Sequence, residues 1–161
     1  QEIRLGVIAE GERNARLKRA GCTINGVTYH PEVWTYQETD NIDLLIVSLK
    51  YGALPTALDT IKQATSQNTI VMSLMNGVDS EEIIGAKIGM SHILPLDQVA
   101  SHKEPDGYQF DRKSTIGIIF GEYKPPFQSE RVKVVCDLFE KSDISYRELT
   151  ISARKSGVSF G

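Results

Sequence analysis

The chain alternates between short apolar runs and longer segments in which apolar residues recur at helical spacing. The runs 42–49 and 68–75 are almost continuously apolar and have the length of a strand. Such runs are typical of strands that are buried on both faces of a parallel sheet. The segments 54–65 and 127–143 place apolar side chains on one helical face, which predicts two amphipathic helices packed on that sheet.

The same alternation continues through the rest of the chain. It predicts further strands at 2–10, 91–96, 115–122 and 144–149, and further helices at 12–20 and 79–89. Strand and helix in regular succession indicate βαβ units. We therefore predict an α/β fold with a Rossmann-like, doubly wound, mostly parallel sheet.

Local signals refine these elements. Asn25-Gly26 lies between alternating residues and predicts a tight hairpin, and Gly21 is placed to end the first helix. Asp79 and Glu82 have the spacing of a capping box, so we expect Asp79 to cap its helix. Trp34 and Tyr36 both belong to an alternating run that predicts a strand.

Composition narrows the class of protein. Of 161 residues, 40% are hydrophobic and 24% are charged, and the net charge is -3, which suits a globular domain and gives no basic patch for nucleic acid. No apolar run approaches the length of a membrane span. Cys22 and Cys136 show no spacing for a metal site or a redox pair. We expect a cytoplasmic protein with no nucleic-acid partner, no membrane and no bound metal.

Both ends of the chain read as cut. Gln1 opens directly into a strand-like run without a methionine, and the final residues carry no terminating signal. We therefore expect a fragment of a longer protein. No GxGxxG turn occurs in the sequence, although a Rossmann unit uses that turn to hold the cofactor pyrophosphate.

Three polar residues, Glu10, Lys50 and Asn76, each follow a predicted strand. Because parallel strands bring their carboxyl ends to one edge, where such sheets bind ligands, these residues are candidates for a site. Glu10 has the character of a ribose-binding acid, and a plain polar loop residue is the alternative. Lys50 offers an ammonium to a phosphate, carboxylate or developing alkoxide, and a lysine extending into water is the alternative.

Asn76 and Gly77 form a second tight-turn signal. A turn role explains both residues by itself. If Asp79 caps the following helix, however, the Asn76 amide is left to orient a ligand, and Gly77 lets that ligand approach the backbone.

The segments "DLLIVSLKYGALPTALDTIK", "NTIVMSLMNGVDSEEII" and "TIGIIFGE" resemble the N-terminal domain of the ketopantoate reductase (2-dehydropantoate 2-reductase) family. In that family one strand ends in lysine and the next ends in an asparagine-glycine pair. "VIAEGERNARLKRAG" resembles the family's second strand and the helix after it. The likeness covers roughly residues 3–150.

The resemblance implies that residues 1–150 are a Rossmann-type NAD(P)-binding domain without its first strand and glycine-rich turn, and that 151–161 begin a helical domain. It implies NADPH-dependent reduction of the keto acid ketopantoate to pantoate, in pantothenate and coenzyme A biosynthesis, with a homodimer possible. By match, Lys50 and Asn76 are catalytic. The resemblance also assigns cofactor binding to these two residues, together with Glu10, Arg13 and Gly77.

Besides the missing glycine-rich turn and the missing C-terminal helical domain, the chain departs from the family pattern in two places. The family's principal lysine lies in a Trp-x-Lys helix; Lys155 is near that place, but the tryptophan is absent, so we do not assign it. Many members have arginine where Glu10 stands, and an acid there would repel the 2′-phosphate of NADPH. Arg13 is close enough in sequence to bind that phosphate, and NADH is the alternative cofactor. The alternative functions are reduction of another 2-keto acid and a non-catalytic NAD(P)-binding sensor.

Overall fold

The computed structural model describes residues 2–75, 78–98, 102–104, 107–109 and 117–149. The chain divides into two compact units, of which unit 1 comprises residues 1–41 with 101–111 and unit 2 comprises 42–100 with 112–161. The predicted boundary at residue 150 lies at the limit of the described residues and stays a prediction.

The described residues of unit 1 form helix α1 (Gly11–Ala20), a 3-10 helix and six short strands. The strands are β1 (Gly6–Ile8), β2 (Cys22–Ile24), β3 (Val27–Tyr29), β4 (Glu32–Trp34), β8 (His102–Glu104) and β9 (Gly107–Gln109). β1 and β4 pair in parallel, and the other four form a sheet in the order β3-β2-β9-β8. α1 and the β2-β3 hairpin lie between β1 and β4 in sequence, so the chain crosses over from one strand of this parallel pair to the other.

The predicted turns of unit 1 are confirmed. β2 and β3 form an antiparallel hairpin joined by Asn25 and Gly26, whose φ angles of 49° and 77° are those of the tight turn that matches strand twist. Gly21 ends α1 with φ 68° and donates its N–H to the Leu17 carbonyl at 2.8 Å. A left-handed residue after the last helical turn satisfies a carbonyl that the helix leaves unpaired.

Among its described residues, unit 2 contains three α-helices, two 3-10 helices (Tyr51–Ala53 and Met90–His92) and five strands. The α-helices and strands are α2 (Leu54–Ala64), α3 (Val78–Ile88), α4 (Glu130–Lys141), β5 (Leu44–Val47), β6 (Ile70–Ser73), β7 (Leu96–Gln98), β10 (Ile118–Phe120) and β11 (Tyr146–Glu148). β5 and β6 pair in parallel, as do β10 and β11, whereas β7 runs antiparallel to β10. The units β5-α2-β6 and β10-α4-β11 therefore confirm the predicted α/β class.

Two apolar clusters hold unit 2 together. The first is built around α4 and comprises Met72, Leu94, Phe120, Val132, Val135, Cys136 and Phe139. The second lies under α2 and α3 and comprises Val47, Leu54, Ile61, Val71, Ile84 and Ile93. The predicted inward faces of α2 and α4 are thus confirmed, because residues of both helices belong to these clusters. Burial of apolar area is the main favourable term in folding.

Several details of the sequence prediction are wrong. The strand predicted at 91–96 does not form there: its first residues belong to the 3-10 helix Met90–His92, and β7 begins only at Leu96. Tyr36 does not continue a strand, because Thr35 and Glu38 form a capping box that starts a 3-10 helix at Tyr36–Glu38. The Thr35 N–H donates to the Glu38 carboxylate at 2.7 Å. Asp79 does not cap α3, because the helix already begins at Val78 and Asp79 lies exposed in its first turn.

Cys136 is buried on α4, as its apolar run predicts, and it has a polar partner. Its thiol donates to the Glu148 carboxylate at 3.0 Å. Burial, and then the neighbouring carboxylate, raise the pKa of Cys136 to about 11. On β11, the Tyr146 hydroxyl donates to Glu140 at 2.6 Å, which raises the pKa of Tyr146 as well. Both groups are therefore held in their neutral forms.

This arrangement predicts a fall in stability at alkaline pH. The folded state holds the Cys136 proton to about pH 11, whereas the unfolded thiol loses it near pH 9. Because the unfolded state binds fewer protons between these values, the free energy of unfolding should decrease as pH rises through that window, by on the order of 2 kcal/mol. Urea unfolding at several pH values would measure the slope.

The control for this prediction is the other cysteine. Cys136→Ala should reduce the slope between pH 9 and 11, most clearly below pH 10, where Tyr146 does not yet contribute. Cys22→Ala, at a half-buried position in β2, should reduce it less. An unchanged slope in Cys136→Ala would show that the thiol does not produce the effect and that Tyr146 or the remaining groups do.

Candidate functional site

In unit 2, Lys50 lies beyond the carboxyl end of β5. The strand ends at Val47, so Lys50 does not close it as expected but precedes the 3-10 helix Tyr51–Ala53. The Lys50 carbonyl accepts the Ala53 N–H at 2.8 Å, which fixes its backbone. Its side chain is exposed and makes no hydrogen bond or ion pair with the residues that the structure describes. The ammonium is therefore available to a ligand at this edge.

Asn76 and Gly77 lie outside the described residues, and their predicted roles stay predictions. The residues on either side are described: Met75 donates its N–H to Ser73 Oγ at 3.2 Å, and α3 begins at Val78. Since Asp79 does not cap α3, the helix cap gives no reason to assign the Asn76 amide to a ligand. The assignment of Asn76 now depends on its place in the sequence and on the family resemblance.

In unit 1, Glu10 follows β1 and stands at the N-cap position of α1, although its side chain makes no cap bond. Its Oε1 instead accepts the N–H of Tyr36 at 2.7 Å, just after the end of β4. Glu10 thus joins the carboxyl ends of two parallel strands. This structural role was not visible in the sequence, because the partner is 26 residues away.

Arg13 is the third residue of α1, within its first turn, and is exposed. It makes no ion pair within the described part of the chain. A guanidinium without such a pair, beside a helix N-terminus, suits an anionic group.

The start of α1 is fixed by Asn14, a buried residue whose Nδ2 donates to the Ala9 carbonyl at 2.9 Å. The signal for Asn14 in the sequence was a short polar side chain in the first helical turn after a strand.

Sequence reasoning missed a buried polar group at the carboxyl end of β6. Ser73 and Ser80 are 1% and 0% exposed, and their hydroxyl oxygens lie 2.9 Å apart. Glu81, also buried, accepts the Leu96 N–H at 3.1 Å. The signal was a serine that interrupts an apolar strand, followed seven positions later by a second serine in a helix.

A separate cleft lies at the amino ends of β5 and β6, away from the edge that carries Lys50. It has a volume of about 430 Å³ and is lined in part by Asp43, Thr69, His92 and Arg131. The Arg131 guanidinium already forms a salt bridge with the Glu122 carboxylate, in which Nη2 lies 2.8 Å from Oε2. Because ligands of such sheets bind at the carboxyl ends, this cleft is not the candidate site.

None of the helices among the described residues is both long and apolar enough to cross a membrane. No group of three or more histidine, cysteine, aspartate or glutamate side chains in this part of the chain could hold a metal ion.

Comparison with solved structures shows the same fold. The 2-dehydropantoate 2-reductase from Porphyromonas gingivalis W83 matches with a TM-score of 0.71 and 16% identity, over 92% of this chain and 54% of that one. The enzyme of that name from Geobacter metallireducens GS-15 gives 0.66 and 19%, over 91% and 58%. A D-mandelate dehydrogenase solved with NADH and anilino(oxo)acetate gives 0.67 and 19%, over 89% and 48%.

The chain thus spans about half the length of these proteins. No curated protein matches its sequence significantly. The family model described as ketopantoate reductase PanE/ApbA, however, matches residues 3–122, which is most of the chain. The matched residues include Lys50 and the Asn76-Gly77 pair. The resemblance found in the sequence is confirmed, and the chain belongs to the ketopantoate reductase PanE/ApbA family.

Proposed function

We propose that this chain is the dinucleotide-binding part of an NADPH-dependent 2-dehydropantoate 2-reductase, which reduces ketopantoate to pantoate. The observation that supports this most directly is the family match over residues 3–122. It is combined with an exposed Lys50 after β5 whose side chain makes no hydrogen bond or ion pair with the described residues. A role in pantothenate biosynthesis, a cytoplasmic setting and a homodimer belong to the same proposal.

The described residues fit parts of a nicotinamide dinucleotide. Glu10 is exposed after β1, where a carboxylate accepts hydrogen bonds from ribose hydroxyls, and Oε2 makes no bond with the residues that the structure describes. Arg13 offers a fork of donors suited to a phosphate. The 161 residues contain no GxGxxG turn, so none of them supplies the usual pyrophosphate cradle. When bound, the reduced nicotinamide would supply the hydride.

Lys50 would act on the carbonyl of the keto acid. Its ammonium would donate a hydrogen bond to the keto oxygen and stabilise the negative charge that develops there as the carbon accepts a hydride. The same ammonium would then give its proton to the alkoxide, which yields the hydroxy acid. Asn76 would orient the substrate or the cofactor through its amide donor and acceptor.

A second candidate function is reduction of a different 2-keto acid. The specific ground for it is the D-mandelate dehydrogenase with NADH and anilino(oxo)acetate among the similar structures. That neighbour also keeps NADH as an alternative cofactor. A non-catalytic NAD(P)-binding sensor is a third reading, favoured by the absence of a Trp-x-Lys motif around Lys155, a residue outside the described part of the chain.

The deciding assay uses the full-length gene product. Ketopantoate and a panel of other 2-keto acids would each be offered with NADPH and with NADH, and loss of reduced-nicotinamide absorbance would be followed. Oxidation with ketopantoate as the best substrate supports the proposal. Oxidation only with another keto acid supports the second function, and dinucleotide binding without oxidation of any kind supports the sensor.

Lys50→Ala should lower kcat/KM by more than about tenfold, because it removes a charge that acts on the developing alkoxide. The fold should be retained, since the side chain is exposed and makes no described contact. Lys62→Ala removes an exposed lysine of α2 and is the matched control. Equal kinetics in the two variants would remove Lys50 from the mechanism.

Arg13→Ala should raise KM for NADPH by about tenfold and leave KM for NADH nearly unchanged, because only NADPH carries the 2′-phosphate. Arg16→Ala, at another exposed position of α1, is the control. Parallel initial-rate measurements with both cofactors would test this. A similar loss for NADH and NADPH would mean that Arg13 does not read the phosphate.

A further inference from the structure

The segment after β5 presents an aromatic side chain directly beside Lys50. Tyr51 is the first residue of the 3-10 helix Tyr51–Ala53 and is 55% exposed. Its hydroxyl makes no hydrogen bond with the residues that the structure describes. Single exposed apolar or aromatic residues are common on protein surfaces, so exposure alone assigns no role. What holds Tyr51 and what stands next to it point to a binding role.

The backbone of Tyr51 is fixed on both sides. The Lys50 carbonyl accepts the Ala53 N–H at 2.8 Å, and the Tyr51 carbonyl accepts the N–H of Leu54. Leu54 is 1% exposed and belongs to the second apolar cluster, so it anchors this short turn to the core of unit 2. An exposed ring on an anchored backbone loses little freedom when it contacts a ligand, because a tyrosine side chain has only two rotatable bonds to fix.

The residue after Tyr51 leaves room for a ligand. A Cβ atom added to Gly52 would meet no described atom within 4 Å, so this glycine is not required by close internal packing. Positions 50 to 53 are all exposed. A planar group can therefore approach the turn from solvent.

Lys50 and Tyr51 offer two different kinds of contact. Consecutive Cα atoms are about 3.8 Å apart, so one bound nucleotide can touch both side chains. An ammonium suits a phosphate or another anionic oxygen, and a tyrosine ring suits the face of a heteroaromatic base. A dinucleotide carries both groups, since each base is joined to a phosphate through a ribose. Sheets of this kind bind their ligands at the carboxyl ends of the strands, where these two residues lie.

We propose that Tyr51 is a cofactor-binding residue whose ring stacks on one heteroaromatic base of the dinucleotide. This inference rests on the proposed function for the identity of the ligand. Adenine and nicotinamide are both flat heteroaromatic rings, so the shared chemistry is a stacked base, and fragments of the cofactor distinguish the two. The ring and not the hydroxyl group provides the contact, because stacking depends on the π face.

The experiment compares Tyr51→Ala, Tyr51→Phe and Tyr29→Ala in the full-length gene product. Kd would be measured for NADPH and NADH, for ADP-ribose, which keeps the adenine, and for reduced nicotinamide mononucleotide, which keeps the other base. Tyr51→Ala should raise Kd by about tenfold for both dinucleotides and for the fragment that contains the stacked base. Tyr51→Phe should stay within about twofold of the wild type, because it keeps the ring. Tyr29, 53% exposed on β3, is the matched control and should behave like the wild type.

Nuclear magnetic resonance of the tyrosine rings would report the contact directly. With ring-labelled tyrosine, the Tyr51 signal is the one that Tyr51→Phe removes. The fragment that contains the stacked base should shift this signal upfield, because a proton above an aromatic face is shielded. The Tyr29 signal should stay in place.

Equal Kd values in Tyr51→Ala and the wild type would overturn the inference, and so would a loss in Tyr51→Phe as large as that in Tyr51→Ala. A lower unfolding midpoint in Tyr51→Ala with unchanged Kd would show that the ring packs against the rest of the full-length protein instead. Dinucleotide binding that depends on Tyr51, without reduction of any keto acid, would support the inference and refute the proposed reductase. A wild-type protein that binds no dinucleotide would refute both.

Discussion

The parallel pairing of β5 with β6 is the constraint on which unit 2 depends. Four residue pairs are in register, from Leu44 with Ile70 to Val47 with Ser73. Val71 and Met72, neighbours on β6 and both fully buried, enter different apolar clusters because successive side chains point to opposite faces. One short strand therefore anchors the helices on both sides, and a shift by one residue would exchange the two faces.

The same register brings the two strands to an end at one level. Val47 and Ser73 are partners, so the connection to Lys50 and the connection to α3 leave the sheet together. Chemistry placed on such connections gains its precision from the strands beneath them. Near that edge of unit 2, Lys50 is an exposed cation. The buried polar side chains there instead hold the backbone in place through hydrogen bonds; they are Ser73, Ser80 and Glu81.

The periodic features were predictable from sequence. The inward face of α4, the hairpin at Asn25-Gly26 and the glycine that ends α1 all depend on residues close together in the chain. The features that were not predictable depend on distant partners. Glu10 bonds to Tyr36 rather than remaining a simple loop residue, and α3 starts before Asp79 with Ser80 turned toward β6. Lys50 and Asn76 were singled out by position and resemblance, and the geometry of Asn76 is outside the described residues.

The bond from the Tyr36 N–H to Glu10 has a consequence for redesign of cofactor preference. Exchanging an acid for arginine at the end of this strand is the direct way to favour a phosphorylated ribose. Here that exchange would also remove the acceptor that holds the start of the helix at Tyr36–Glu38, because arginine can only donate. In the proposed cofactor site, one carboxylate would serve both selectivity and local architecture. A change of preference is therefore better directed at Arg13 on α1, which makes no ion pair with the described residues.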